Sequence, residues 1–581
     1  SCIKEQFEKR GRKLAKREVW NSKTAFVLAA IGSAIGLGNI WRFPYVTFEN
    51  GGGAFLVAYF VCLFIAGIPL LMLEFSMGHL TKQAAPGAFA KLRPKMQWFG
   101  WFAVGVGFVI VTYYAIIMSW SVNYTWEAAT LGWQDNMGQY ANVEYALETT
   151  DLEDMAVLTP VPERFWGTEF TDPVDESLYS IQSAGTFLVA WEGNLYAMSS
   201  LGNADTFMSS PGNFFFNDFL GLTSEPWDIG TFRWPLLIGF IITWVWIVAS
   251  VWKGTKTVSK VVYYTVFIPW GLLILFIIRG VTLPGAEAGI SYYLTPVWSK
   301  LLHADIWLAA ISQVFFSLSV GFAIMIAYGS FLPKKTNIAG FAIVIGIADA
   351  LTAFCGGLAV FSALGYQATK MGVHITEVAQ SGPGLAFVAY PHIISNLPGA
   401  RIFGVLFFLM LLTLAVDSAF SLLEAATASV KDKWKLSHKK ANLIVGGLCF
   451  LLGLPMLTGA GLYILDIADH FMNSFGLTIV VLVETIMIGW VIGAEKQRDY
   501  ISNNSNFRIG QWWNICIRWL IPIGIIWMLF TEISARETPY GSFGLRSQEF
   551  LFGWLIMILL PIVAYFLANA KGKGKFPENI E

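Results

Sequence analysis

The stretch Gly32-Ser33-Ala34-Ile35-Gly36-Leu37-Gly38-Asn39-Ile40-Trp41-Arg42-Phe43-Pro44 lies in the first long apolar run of this 581-residue chain. Three glycines and an asparagine within eight residues lower helix propensity. In a bilayer core no water can replace the lost backbone hydrogen bonds. The segment therefore reads as a membrane-crossing helix that breaks halfway. A similar interruption, Ser317-Leu318-Ser319-Val320-Gly321, falls in the sixth apolar run. Breaks in spans 1 and 6 are what an inverted repeat of five helices plus five places together at the midplane. Half-helix ends and unwound carbonyls there can hold an anionic group and cations. Glycines that merely permit close helix packing are the plainer alternative. Asn39, Ser317 and Ser319 favour the break, because oxygens clustered at the midplane need partners.

The composition around these breaks is that of a membrane protein. Hydrophobic residues make up 55% of the chain and charged ones 13%, with 38 basic and 39 acidic side chains. That is about half the ~25% charge content of a soluble domain. A net charge of −1 without a clustered basic excess excludes a nucleic-acid binder. Cys2, Cys62, Cys355, Cys449 and Cys516 lie in the basic tail or in apolar runs and imply no disulfide framework. The scattered histidines have no metal-ligand spacing, which argues against a zinc enzyme.

A crossing helix needs about 20 apolar residues. Twelve stretches qualify, near 24–47, 54–78, 98–126, 235–252, 259–280, 306–331, 338–366, 401–430, 441–457, 464–492, 512–533 and 547–569. The first lacks a cleavage-like end and is expected to stay in the mature chain. Residues 1–23 hold eight Lys or Arg against three acidic side chains, so the N-terminus is expected in the cytoplasm. Basic clusters after spans 2, 4, 6, 8, 10 and 12 fit the same sidedness. The loop 127–233 carries seventeen Asp or Glu against Arg164 and Arg233 and is expected outside. The chain thus divides into a cytoplasmic tail 1–23, a ten-helix core 24–492, two further helices within 512–569 and a cytoplasmic tail 570–581. The fold class is an all-α, multi-pass integral membrane protein with broken helices 1 and 6, expected in the plasma or inner membrane.

Glu74, Asp349, Asp417, Glu424, Asp469 and Glu484 all sit within apolar stretches. A charge at the bilayer centre costs at least ~2.5 kcal/mol, so six carboxylates signal function. For Glu74, Glu424 and Glu484 a structural role, bonded to backbone, is an equal alternative. Asp417 beside Ser418 reads as a ligand for a hard cation, which takes oxygens.

Gly36-Leu37-Gly38-Asn39-Ile40-Trp41-Arg42-Phe43-Pro44, Glu49-Asn50-Gly51-Gly52-Gly53-Ala54-Phe55, Gln313-Val314-Phe315-Phe316-Ser317-Leu318-Ser319 and Ala415-Val416-Asp417-Ser418 resemble, in order and position, the signatures of the neurotransmitter:sodium symporter family. The likeness runs through spans 1–10, with no counterpart for the loop 127–233. It implies no enzyme, but a sodium-coupled symporter of a neutral amino acid working by alternating access. A first sodium site would use Ala34, Asn39, Ser317 and Asp349 with the substrate carboxylate. A second would use Gly32, Ile35, Leu414, Asp417 and Ser418. The substrate pocket would be lined by Ala34, Gly38, Ile110, Tyr114, Phe316, Ser319, Phe322, Ser418, Ser421 and Leu422. Arg42 with Asp469, and Tyr114 with Phe316, would close the outside. Arg17 with Asp432, helped by Trp20, would close the inside, where Ser330-Phe331 replaces the family's serine and tyrosine.

Two departures sharpen these expectations. Amine-carrying relatives have an aspartate where this chain has Gly36, so the resemblance implies a neutral amino acid with a free carboxylate. In chloride-dependent relatives a tyrosine, a glutamine and two serines hold the anion. Tyr59, Gln313 and Ser317 match three of them, but the fourth position is Ala353, and Asp349 stands one turn before it. A fixed carboxylate there implies transport without chloride, with Asp349 ligating sodium and taking a proton on the return step. The rivals are a channel, a transporter-like sensor or scaffold without turnover, and a sodium-coupled amine carrier. A channel needs polar groups along a pore, whereas here they gather at one depth.

Overall fold

The computed structural model describes residues 18–133, 169–171, 178–180, 187–191, 194–198, 210–223, 227–372, 374–375, 382–395, 397, 399–534 and 549–572. The first apolar run forms α1 (Lys23–Ala34) and α2 (Leu37–Glu49), bent by 60° at the break between them. Among the described residues, nine helices are long and apolar enough to cross a membrane, and the bent pair makes ten. The nine are α3 (Gly53–Thr81), α4 (Pro94–Thr130), α6 (Thr255–Val281), α9 (Ile338–Lys370), α10 (Ala400–Trp434), α11 (His438–Leu457), α12 (Gly461–Asn503), α13 (Trp512–Ser534) and α14 (Glu549–Asn569).

The remaining two expected spans are the short ones. α5 (Trp234–Ser250) is a 17-residue apolar helix. The run 306–331 divides into α7 (Ala304–Ser317) and α8 (Ile324–Ser330), with residues 318–323 non-helical between them. The long loop between α4 and α5 carries two short antiparallel pairs, β1 (Glu169–Thr171) with β2 (Leu178–Ser180) and β3 (Phe187–Trp191) with β4 (Asn194–Met198), in an otherwise helical fold.

Large apolar side chains cover much of the outer surface, among them Ile238, Val245, Phe267, Leu451, Trp527 and Phe566. Water would penalise such a surface, and lipid does not. The interior packs α10 against α4, α8 against α3, and α1 against α6, α9 and α10. At one end the segment Leu385–Ala389 and the loop helix Phe214–Phe219 roof the bundle with aromatic rings. Phe215 stacks on Phe387 at 5.4 Å, and Tyr124 meets Phe219 edge-on at 4.9 Å.

Candidate functional site

The two helix breaks meet, and each is held open by specific side chains. Asn39 Oδ1 accepts from Gly36 N at 2.9 Å, which closes the unwound turn on itself. The Tyr114 hydroxyl accepts from Leu37 N at 3.3 Å. Across the gap, Ser319, Gly321 and Ala323 have φ of +53°, +83° and +61°. Only glycine adopts that region without strain, so Ser319 and Ala323 are held there by their surroundings. Gly321 N donates to Glu74 Oε1 at 2.6 Å. Glu74 is therefore bonded to backbone, the structural role that the sequence left open, and it pins the second break. The breaks are tied to each other through the Ser33 carbonyl, which accepts from Ser319 Oγ at 2.9 Å and from Ser418 Oγ at 3.1 Å.

Between the breaks lies a cavity lined by Ala34, Gly38, Ile110, Tyr114, Phe316, Ser319, Phe322, Ser418 and Leu422. Nine of the ten expected pocket residues are thus in one wall. The tenth, Ser421, is not. It donates to the Asp417 carbonyl at 2.6 Å and meets the Tyr328 hydroxyl at 2.6 Å, one turn below the cavity. Residues that the sequence did not assign to the wall complete it, among them Ser33, Gly36 and Ile324. The space open to the centre of a water molecule is about 30 Å³, room for about two waters at ~10–15 Å³ each. Gly38 keeps it tight: a Cβ there would stand 2.7 Å from Phe316 Cε1.

Beside the cavity, Asp349 joins two of the other residues expected around a first cation, Asn39 and Ser317. Ser317 Oγ lies 2.9 and 2.8 Å from its two carboxylate oxygens, and Asn39 Nδ2 donates to Oδ1 at 2.9 Å. The Tyr59 hydroxyl points at Oδ2 from 3.5 Å. Gln313, buried next to them, has no hydrogen-bond partner on either amide atom.

Asp417 is another buried carboxylate near the breaks. It is 1% exposed, and neither oxygen has a hydrogen-bond partner. The neighbouring Thr265 hydroxyl donates instead to the Val261 carbonyl. A Cβ on Gly32 would stand 2.2 Å from Asp417 Oδ2, so the carboxylate fills the space that glycine leaves on α1. Ile35 and Leu414, the other expected ligands, are buried at the end of α1 and one turn before Asp417 on α10.

The expected gates are partly assembled. Arg42 places its guanidinium 4.5 Å over the Phe316 ring, and Tyr114 and Phe316 both line the cavity. Arg42 and Asp469 make no ion pair here. Asp469 Oδ1 accepts from Asn473 of its own helix at 2.9 Å. Tyr113 lies between Arg42 and Asp469, its hydroxyl facing Asp469 and Asn473 and feeling the charge of Arg42. At the other end Trp20 is 5% exposed. Its indole donates to the Tyr328 carbonyl at 3.2 Å, its backbone N to the Phe331 carbonyl at 3.3 Å, and its ring meets Phe26, Tyr328 and Phe331 edge-on. Phe331 thus supplies a ring and a carbonyl where the family's tyrosine would supply a hydroxyl. Asp432 Oδ2 accepts from Ala84 N at 3.1 Å; Arg17 lies outside the described residues. Of the remaining buried carboxylates, Glu424 faces His438 at 3.3 Å, and Glu484 stands near Glu74.

A membrane bundle whose two broken helices enclose a small polar cavity is a transporter, not an enzyme. The description "Sodium:neurotransmitter symporter family" matches residues 17–572, and the chain belongs to that family. It is 35% identical over 562 residues to an uncharacterized sodium-dependent transporter of Methanocaldococcus jannaschii, covering 96% of this chain and 98% of the relative. It is 31% identical over 574 residues to the sodium- and chloride-dependent glycine transporter 2 of Xenopus laevis, covering 97% and 70%. It is 32% identical over 506 residues to the sodium- and chloride-dependent taurine transporter of Canis lupus familiaris, covering 86% and 75%.

Proposed function

We propose that the protein is a sodium-coupled symporter of a small neutral amino acid that needs no chloride and works by alternating access across twelve spans built as two inverted five-helix repeats and two added helices. The observation that carries the reading is Asp417. A buried carboxylate with no partner on either oxygen costs several kcal/mol unless a cation or a proton neutralises it. Sodium at Gly32, Ile35, Leu414, Asp417 and Ser418 is that cation. A second sodium uses Ala34, Asn39, Ser317 and Asp349 and is completed by the substrate carboxylate. Each ion then lowers the cost of burying the substrate's charge, and the substrate lowers the cost of burying the ion.

The substrate class follows from the wall. Ile110, Phe316, Phe322 and Leu422 offer no countercharge, and Gly36 carries no carboxylate for an amine. Glycine and taurine, the substrates named in two relatives, are small, and the narrow cavity favours a small side chain. Those relatives are described as chloride-dependent. Here Asp349 brings a fixed negative charge to the group of Tyr59, Ser317 and Gln313, so chloride is superfluous and repelled. With the N- and C-termini in the cytoplasm, Trp20 and Asp432 close the inner end and Arg42 the outer.

Uptake of radiolabelled small amino acids into proteoliposomes under sodium or potassium gradients tests the reading. Accumulation that requires sodium supports it; accumulation equal in potassium, or none for any amino acid despite sodium-dependent binding, overturns it.

A further inference from the structure

On the side of the molecule that Trp20 seals, an open groove of about 810 Å³ runs between the end of α5 and the start of α6. One wall is apolar, made by Val245, Val248, Ala249 and Trp252. The other end carries Lys253, Lys256 and Lys260. Lys256 and Lys260, four residues apart, share one face of α6.

None of these three ammonium groups has an acidic partner among the described residues. Glu18, on the same side, is already held by Lys431 at 2.5 Å. Lys439 adds a fourth cation, 5.3 Å over the Trp252 ring. Like charges brought together without compensation repel one another, and an anion relieves the repulsion.

The apolar wall says what kind of anion. On α5 the exposed side chains Ile238, Ile241, Ile242 and Val245 follow the spacing i, i+3, i+4, i+7 and form a stripe that leads along the helix into the groove. An acyl chain lying on that stripe brings its headgroup to the lysines, with Trp252 at the boundary between tail and head. A soluble anion leaves the apolar wall bare. We propose that this groove is a binding site for an anionic phospholipid. The site also touches Asn21, the residue after the Trp20 plug. The proposal uses no assignment of the transported substrate or ions.

Native mass spectrometry of the full chain in detergent, titrated with dioleoyl phosphatidylglycerol or dioleoyl phosphatidylcholine, tests it. The wild type should retain one phosphatidylglycerol that the triple variant Lys253→Gln, Lys256→Gln, Lys260→Gln binds about a hundredfold more weakly. Retention of phosphatidylcholine should be unchanged. Ala249→Trp, which fills the groove and keeps every lysine, should cause the same loss, with gel filtration checking that both variants are intact. Equal phosphatidylglycerol retention by wild type and either variant overturns the proposal. Displacement of the lipid by millimolar inorganic phosphate overturns it as well, since the site would then take a soluble anion.

Discussion

The Arg42 guanidinium lies 4.5 Å over the Phe316 ring, while the Asp469 carboxylate is bonded to Asn473 on its own helix. Arg42 thus covers the cavity by stacking, a contact its planar cation makes better than an ammonium. Its ion pair with Asp469 requires the two side chains to close the gap between them, with Asn473 holding only one carboxylate oxygen. A contact that differs between open and closed states shifts their balance more than it changes ligand binding to the open one. Arg42→Ala and Asp469→Ala should each lower uptake at least about tenfold while leaving most sodium-dependent substrate binding in place. Arg42→Lys should fall between Ala and wild type. Wild-type uptake by either alanine variant removes the residue from the gate.

At the second proposed sodium site, the space beside Asp417 depends on the lack of a side chain at position 32. A methyl there overlaps Oδ2 at 2.2 Å and must push the carboxylate out of its place. Gly32→Ala should therefore abolish the rise in melting temperature that sodium produces. Asp417→Asn, close to wild type in volume but uncharged, should raise the half-saturating sodium concentration by tenfold or more and leave the sodium-free protein at least as stable. A sodium response in Asp417→Asn equal to the wild type's excludes Asp417 as a ligand.

Much of this architecture is legible in the sequence, because glycine and asparagine inside an apolar run leave few alternatives. Gly36, Gly38 and Asn39 mark the first break for that reason. The second break is also marked, but its shape is not: Ser319 and Ala323 adopt positive φ against their intrinsic preference, because Gly321 N bonds to Glu74, 247 residues away. Side-chain direction is likewise hidden. Ser418 and Ser421 are nearly one helical turn apart on α10, yet Ser418 lines the cavity and Ser421 faces Tyr328. Asp469 reads as Arg42's partner from position alone, and its hydrogen bond to Asn473 on its own helix is not legible there.

Substrate charge can be tested at Gly36, where a Cβ would meet Ser418 Oγ at 2.8 Å and the Tyr114 hydroxyl at 3.2 Å. The wall has no room for a carboxylate at that position, so nothing there neutralises a substrate amine whose own carboxylate is missing. Removing that carboxylate also leaves the first proposed sodium site one oxygen short. Competition by an amino acid should exceed that of its decarboxylated amine by about a hundredfold or more, since a lost charge-assisted contact is worth about 1.5–3 kcal/mol and sodium binding falls with it. Equal potency of the two would falsify the proposed role of the carboxylate.

Chloride provides the sharpest test of what Asp349 contributes. Ser317 and Asn39 direct three short contacts, of 2.8 to 2.9 Å, at its carboxylate, and Tyr59 faces it from 3.5 Å. The carboxylate thus occupies hydrogen-bonding groups that a bound anion would otherwise use. Two negative charges about 4 Å apart repel by about 4 kcal/mol at an effective dielectric constant near 20. On the proposed reading, chloride is therefore excluded while Asp349 is ionised. Replacing external chloride by gluconate should leave at least about 80% of sodium-driven uptake, well within the tenfold that 1.4 kcal/mol produces. Loss of most activity in gluconate refutes the assignment. The double variant Asp349→Asn, Ala353→Ser removes the charge and supplies a hydroxyl on the same helical face, four residues on. It should transport only when chloride is present. The single variant Asp349→Asn should be inactive in either salt, because it has neither the fixed charge nor the fourth anion ligand. A double variant indifferent to chloride would leave sodium ligation as the only role of Asp349.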